Sequence, residues 1–132
     1  WEKMNKNKIS IKINKPAHDV FEFTTNPQNT PKWIDLILTE ETSGWPIAIG
    51  TIYRNKNSQG EWSKYTVTAL KQDKLFELIS GDDNYHVRYS YTDLGDGVSR
   101  MEYYEWVDNG EIDDPFEQKV LEKLKKEIER EG

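Results

Sequence analysis

Cysteine is absent from this 132-residue chain, which excludes disulfides, thiolate metal sites and a cysteine nucleophile. Histidine is nearly absent: His18 and His86 are its two copies, and one histidine with one carboxylate falls short of the usual three protein ligands of a metal site. No apolar run approaches the roughly 18–20 residues that span a bilayer, and no signal-peptide core is present. The glycines show neither phosphate-loop nor dinucleotide spacing, and no serine sits in a Gly-x-Ser-x-Gly elbow. A formal charge of −6 works against nonspecific attraction to nucleic acid or anionic membrane. The expectation is a cytoplasmic protein with no cofactor, no metal, no nucleic-acid partner and no membrane insertion.

What the chain does have is aromatic rings. Five tryptophans, seven tyrosines and four phenylalanines stand in a sequence only 35% hydrophobic, so rings carry much of the packing. They fall in period-two runs, clearest in Tyr85-His86-Val87-Arg88-Tyr89-Ser90-Tyr91, which reads as a strand with one covered and one wet face. A buried tyrosine needs a partner for its hydroxyl. Several on one face therefore suit the wall of a cavity better than a sealed core.

Strands are expected at 9–13, 34–42, 50–56, 61–71, 74–80, 85–93 and 98–108, joined by Gly-, Asn- and Asp-rich turns that imply an antiparallel meander. Pro16 to Phe23 reads as a short helix, and 30–33 as a second, with Thr30 as its N-cap and Pro31 at the first helical position. From Asp113 to Glu131, Phe116, Val120, Leu121, Leu124 and Ile128 form one narrow apolar stripe on a helix of five turns. Asp113 and Asp114 stand at its positive end, and Pro115 lies in the first turn. Such a helix belongs across the concave face of the sheet. Residues 1–8 read as a disordered or vector-derived segment, with Met4 as a candidate initiator, and 9–132 as a single domain.

This order of elements is α+β, a helix-grip fold: a curved antiparallel sheet of about seven strands wrapped around a long C-terminal helix, with two short helices after the first strand. It resembles the START/SRPBCC superfamily, which includes birch-pollen-allergen-like, polyketide cyclase/dehydrase-like and chaperone-activator proteins. Ile11 to Phe23 is similar to the opening strand and its "P-A-x-x-V-F" helix. Asn26-Pro27 with Lys32-Trp33-Ile34 resembles the "D-P-x-x…x-x-W" segment. Gly50-Thr51-x-Tyr53-Arg54 and Tyr65-Thr66-Val67-Thr68 resemble the third and fourth strands. The resemblance covers about 9–128 and is specific for fold rather than function. The charged terminal helix departs from the pattern and points to a modest pocket rather than a sterol-sized tunnel.

Requiring charged residues to point outward sets the strand phases. His86 and Arg88 outward leave Tyr85, Val87, Tyr89 and Tyr91 inward. Arg100 and Glu102 outward leave Met101, Tyr103 and, awkwardly, Glu105 inward. Phe76, Leu78 and Ser80, Tyr65 and Val67, and Thr51 and Tyr53 join them. The candidate ligand-binding set is Trp33, Tyr53, Tyr65, Val67, Phe76, Leu78, Val87, Tyr89, Tyr91, Met101, Tyr103, Phe116, Val120 and Leu124. Trp45, in a Ser-Gly-Trp-Pro turn, either caps a cavity mouth or folds back on the sheet. Both histidines are expected to be solvated.

The leading expectation is binding of a small hydrophobic or aromatic molecule between the sheet and the C-terminal helix. A cyclase- or hydrolase-like enzyme in the same cavity is the alternative. Glu105, its carboxyl raised by burial, would then be the base, and Tyr89 or Tyr103 the hydroxyl donor. A third possibility is a protein-interaction module of chaperone-activator type.

Overall fold

The computed structural model of the chain describes residues 4–130. Over them run β1 (Lys6–Ile13), α1 (Ala17–Thr25), α2 (Thr30–Trp33), β2 (Ile37–Thr42), β3 (Ile52–Asn57), β4 (Trp62–Lys71), β5 (Leu75–Ser80), β6 (Tyr85–Gly95), β7 (Val98–Val107) and α3 (Gln118–Arg130). Short turns make each strand from β3 to β7 pair antiparallel with its predecessor. β1, separated from β2 by the two helices, instead pairs with β7, giving the sheet order β1-β7-β6-β5-β4-β3-β2. This is the helix-grip arrangement. Among the described residues no helix is long and apolar enough to cross a membrane.

The phases of β6 and β7 follow from their charges. Val87 stands opposite Glu105, Tyr89 opposite Tyr103 and Tyr91 opposite Met101. All six are buried. The α3 stripe meets the same core through Leu121, Leu124 and Ile128. Full burial of side chains of this size contributes roughly 1.5–3 kcal/mol each.

Three of the element starts that differ from the expected ones have a visible cause. β1 begins at Lys6 rather than Ile9, because backbone pairing with β7 continues to Trp106 whatever the side chains are. The part of the expected loose segment at residues 1–3 lies outside the described residues. α3 begins at Gln118 rather than Asp113. The Phe116 N–H, which a longer helix would leave for a cap, is bonded to the Glu105 carboxylate, and Asp114 sits at a φ of 52°. Ile112, which the sequence reading missed, is buried and donates its N–H to the Met4 carbonyl. Finally, Thr30 is the first residue of α2 rather than its N-cap, which is Asn29 and makes no side-chain capping bond. The Thr30 hydroxyl is therefore free for another partner.

Two strands change phase midway. β4 slips register between Val67 and Ala69, so Val67 and Leu70 both pack inward. β2 slips between Ile37 and Thr39. There Leu38 is thrown outward, 56% exposed, and Leu36 before the strand is 70% exposed, while Glu40 stands opposite Asn55 on the inner side. A bulge of this kind re-aims every side chain beyond it.

Candidate functional site

The inner face of the sheet, closed by the α1–α2 segment and by Phe116 on the approach to α3, leaves a cavity of about 110 Å³. Its apolar wall includes Tyr53, Phe76, Leu78, Val87, Tyr89 and Tyr103. The rings support one another edge-on and tilted: Tyr89 lies 5.2 Å from Tyr103 and 5.5 Å from Phe76, and Tyr53 5.5 Å from Phe76. Phe116 stacks on Tyr103 at 4.2 Å and meets Trp33 edge-on at 6.3 Å.

A polar end faces this wall. Glu40 accepts hydrogen bonds from the Thr30 hydroxyl at 2.6 Å and the Asn55 amide at 3.2 Å. All three line the cavity. Burial pushes the Glu40 carboxyl above its ordinary value, against the opposing pull of those two bonds. Burial raises the phenols of Tyr53, Tyr65 and Tyr89 as well, and the charge of Glu40 acts on each in the same direction. The carboxyl and these three hydroxyls thus share one electrostatic neighbourhood.

Most tyrosine hydroxyls around the cavity are satisfied by the protein. Tyr53 donates to the Thr25 carbonyl at 2.6 Å, and Tyr91 shares a 2.7 Å bond with Thr24. Tyr85 donates to Glu105 at 2.5 Å and lies 3.4 Å from the Tyr103 hydroxyl. Tyr89 differs. It is only 7% exposed and lines the cavity, yet among the described residues its hydroxyl bonds to nothing. The half-buried Tyr65 hydroxyl shares that state.

Glu105 does face inward, only 1% exposed, but it does not line the cavity. It accepts from Tyr85, from the Asn7 amide at 2.8 Å and from the Phe116 N–H at 2.8 Å. The Asn7 amide bonds the Phe116 carbonyl too. One carboxylate therefore ties β1, β6, β7 and the approach to α3 together. Its position is that of a strut between elements, and the carboxyl that reaches the cavity is Glu40.

A second, outer groove of about 620 Å³ runs between α2 and the start of α3. Trp33, Val120 and the Asp35–Lys123 ion pair lie along it. Ile34 and Phe116 line both spaces and form their common wall. Trp33 is 1% exposed, and its indole N–H is buried without a partner.

Of the fourteen side chains that the sequence nominated, the structure brings Tyr53, Tyr65, Phe76, Leu78, Val87, Tyr89, Tyr103 and Phe116 to the cavity. Trp33 and Val120 face the outer groove instead. Val67, Tyr91, Met101 and Leu124 pack in the core without lining either space. Leu124 stays clear because α3 lies against β1 and α2, at one side of the cavity. Thr51 and Ser80 are taken up by turns, Thr51 accepting the Ala48 N–H and Ser80 bonding Asp82. Trp45 is 56% exposed and reaches neither space.

Sequence reasoning missed Thr24, Thr30, Ile34, Ile37, Glu40 and Asn55. Asn55 was within reach, being two residues from the inward Tyr53. Glu40 was hidden by the β2 bulge. His86 lies on the outer face as expected but is not solvated: its ring stacks on Trp106 at 4.5 Å and bonds Asp108. His18 is exposed and bonds Asp73, which raises its pKa, and Glu22 lies within 4.0 Å. That grouping supplies the second carboxylate the sequence did not reveal.

The model of one family, described as polyketide cyclase / dehydrase and lipid transport, matches residues 4–131. No curated protein matches the chain. Among solved structures, a START superfamily protein from Mycobacterium smegmatis has a TM-score of 0.73 at 12% identity, covering 96% of this chain and 99% of that one. A conserved protein from Geobacillus kaustophilus has a TM-score of 0.69 at 17% identity, with 96% of each chain covered. The structure titled Ara h 8.0201 scores 0.64 at 14% identity, covering 95% of this chain and 97% of that one. These likenesses establish a shared fold.

Proposed function

The chain belongs to the polyketide cyclase / dehydrase and lipid transport family, and from that premise we propose that it binds a small, largely apolar ligand in the cavity between the sheet and the helices. The observation that carries this reading is a ring-lined cavity into which Tyr89 and Tyr65 bring hydroxyls that no described residue engages. Such hydroxyls are left to water, and a ligand group that reproduces the bond displaces that water without loss.

Size narrows the ligand. Drug-sized ligands occupy pockets of roughly 300–1,000 Å³, and a dry cavity of about 150 Å³ accepts benzene. At about 110 Å³ the space fits one compact ring or a short branched chain, and anything larger must displace Phe116 or Ile34. Those two side chains separate the cavity from the outer groove, which makes the groove one route of access.

Native mass spectrometry of the purified protein, set against its organic extract, tests the reading. A discrete bound mass of single-ring size, lost on extraction, supports it. A protein that carries nothing and also ignores small apolar probes has a filled core, and its work lies with protein partners.

A second reading, proton transfer on a bound ligand, is favoured by one feature. Glu40 is a cavity carboxyl with a raised pKa, set beside tyrosine hydroxyls, which is the setting of a general acid or base. Deuterium exchange at the α-carbon of a small bound ketone, lost in Glu40→Gln, would support it. Exchange that survives the substitution would remove Glu40 from the role.

A further inference from the structure

We propose that the polar end of the cavity, formed by Glu40 with Tyr89 and Tyr65, is a recognition site for a hydroxyl group carried on a single ring, so that the ligand is a compact phenol or cyclic enol. The inference rests on the cavity being a ligand site and specifies its chemistry.

Two kinds of vacancy meet at this end. Glu40 has accepted one bond on each oxygen, from Thr30 on Oε1 and Asn55 on Oε2. A carboxylate offers about four lone-pair positions, so capacity to accept remains. Tyr89 and Tyr65 bring hydroxyls that no described residue engages, and both line the same cavity as Glu40. A ligand group that completes the set must donate to Glu40 and accept from a tyrosine. A hydroxyl does both. An ammonium has no lone pair for the tyrosines, and a ligand carboxylate has no proton for Glu40 and would add a negative charge beside it. Burial, which raises the Glu40 pKa, likewise favours a partner that shares a proton over one that demands a full ion pair.

The rest of the ligand is set by the walls. Tyr53, Phe76, Tyr89 and Tyr103 present ring faces and edges, which suit an aromatic or flat unsaturated ring by offset or edge-on contact. The volume admits one such ring. A long acyl chain would have to leave through Phe116 and lie in the outer groove.

Phenol and benzene form the discriminating pair, measured by calorimetric titration on the intact protein. Phenol is better solvated than benzene, so a purely apolar cavity prefers benzene. The site described here reverses that order, with phenol bound at least about tenfold tighter, one hydrogen-bonded group being enough for such a factor. In Glu40→Gln and Tyr89→Phe the preference falls severalfold while benzene binding is retained, which also shows that the variants are folded. Benzene bound as tightly as phenol, or tighter, overturns this inference and leaves the cavity reading standing. Neither probe binding overturns both. A phenol preference unchanged in both variants places hydroxyl recognition elsewhere and refutes the assignment.

Discussion

Tyr85 and Tyr89, on the same face of β6, should respond differently to loss of a single oxygen. Tyr85→Phe removes a hydroxyl that donates to the buried Glu105 carboxylate at 2.5 Å. A hydrogen bond to a charged group contributes about 1.5–3 kcal/mol. Glu105 keeps two other donors, Asn7 and Phe116, so it is weakened rather than abandoned, and we expect a loss of about 2 kcal/mol. For a chain of this length that is a fall in Tm of roughly 6–10 °C. Tyr89→Phe removes a hydroxyl with no partner in the protein, so it should change stability by less than about 0.5 kcal/mol or raise it. Urea unfolding of both variants, with midpoints compared at equal m-values, measures the contrast. A Tyr85→Phe variant as stable as the parent would refute the strut assigned to Glu105. A Tyr89→Phe variant as damaged as Tyr85→Phe would mean that the Tyr89 hydroxyl is already satisfied, and the case for a waiting ligand site would fall with it.

Other consequences follow from the same geometry. Phe116→Ala removes the wall shared by cavity and groove and should cost about 2–3 kcal/mol, less than a fully buried phenylalanine, while accelerating uptake of an environment-sensitive apolar dye in stopped flow. Unchanged uptake would place the access route elsewhere. Glu40 has a folded-state pKa above its ordinary value, so between the two values the folded state holds more protons and stability falls as pH rises. Relative to Glu40→Gln, the parent should therefore lose stability from the ordinary carboxylate range upward, and a gap between them that does not change with pH would contradict the raised pKa. Asn7→Ala takes one donor from Glu105 and frees the Phe116 carbonyl. Combined with Tyr85→Phe, it should show a non-additive loss of 0.5 kcal/mol or more, since the two share one acceptor, and strict additivity would separate them.

What the sequence made visible depended on how far side-chain pattern controlled the backbone. In β6 and β7, His86, Arg88, Arg100 and Glu102 fixed the phase, and the tyrosines and Glu105 fell inward as the alternation required. In β2 the alternation set no phase: a bulge at Leu38 reverses it and no local residue type announces it. Glu40, the carboxyl that reaches the cavity, was lost for that reason. The start of α3 was misplaced because a long-range bond from Phe116 to Glu105 outweighs the local helix signals of Asp113, Asp114 and Pro115. β1 was read short because edge pairing over Lys6 to Lys8 needs no apolar side chain. Tertiary bonds of this kind leave no periodic trace in the sequence.

The most direct test of the central claim is a titration of the isotopically labelled protein with toluene, followed through its backbone amides. The account predicts saturable, single-site shifts at cavity-lining residues such as Val87, Tyr89, Tyr103 and Phe116. Shifts confined to the outer groove, at residues such as Leu36, Lys119 and Lys123, or none up to the solubility limit, would contradict it.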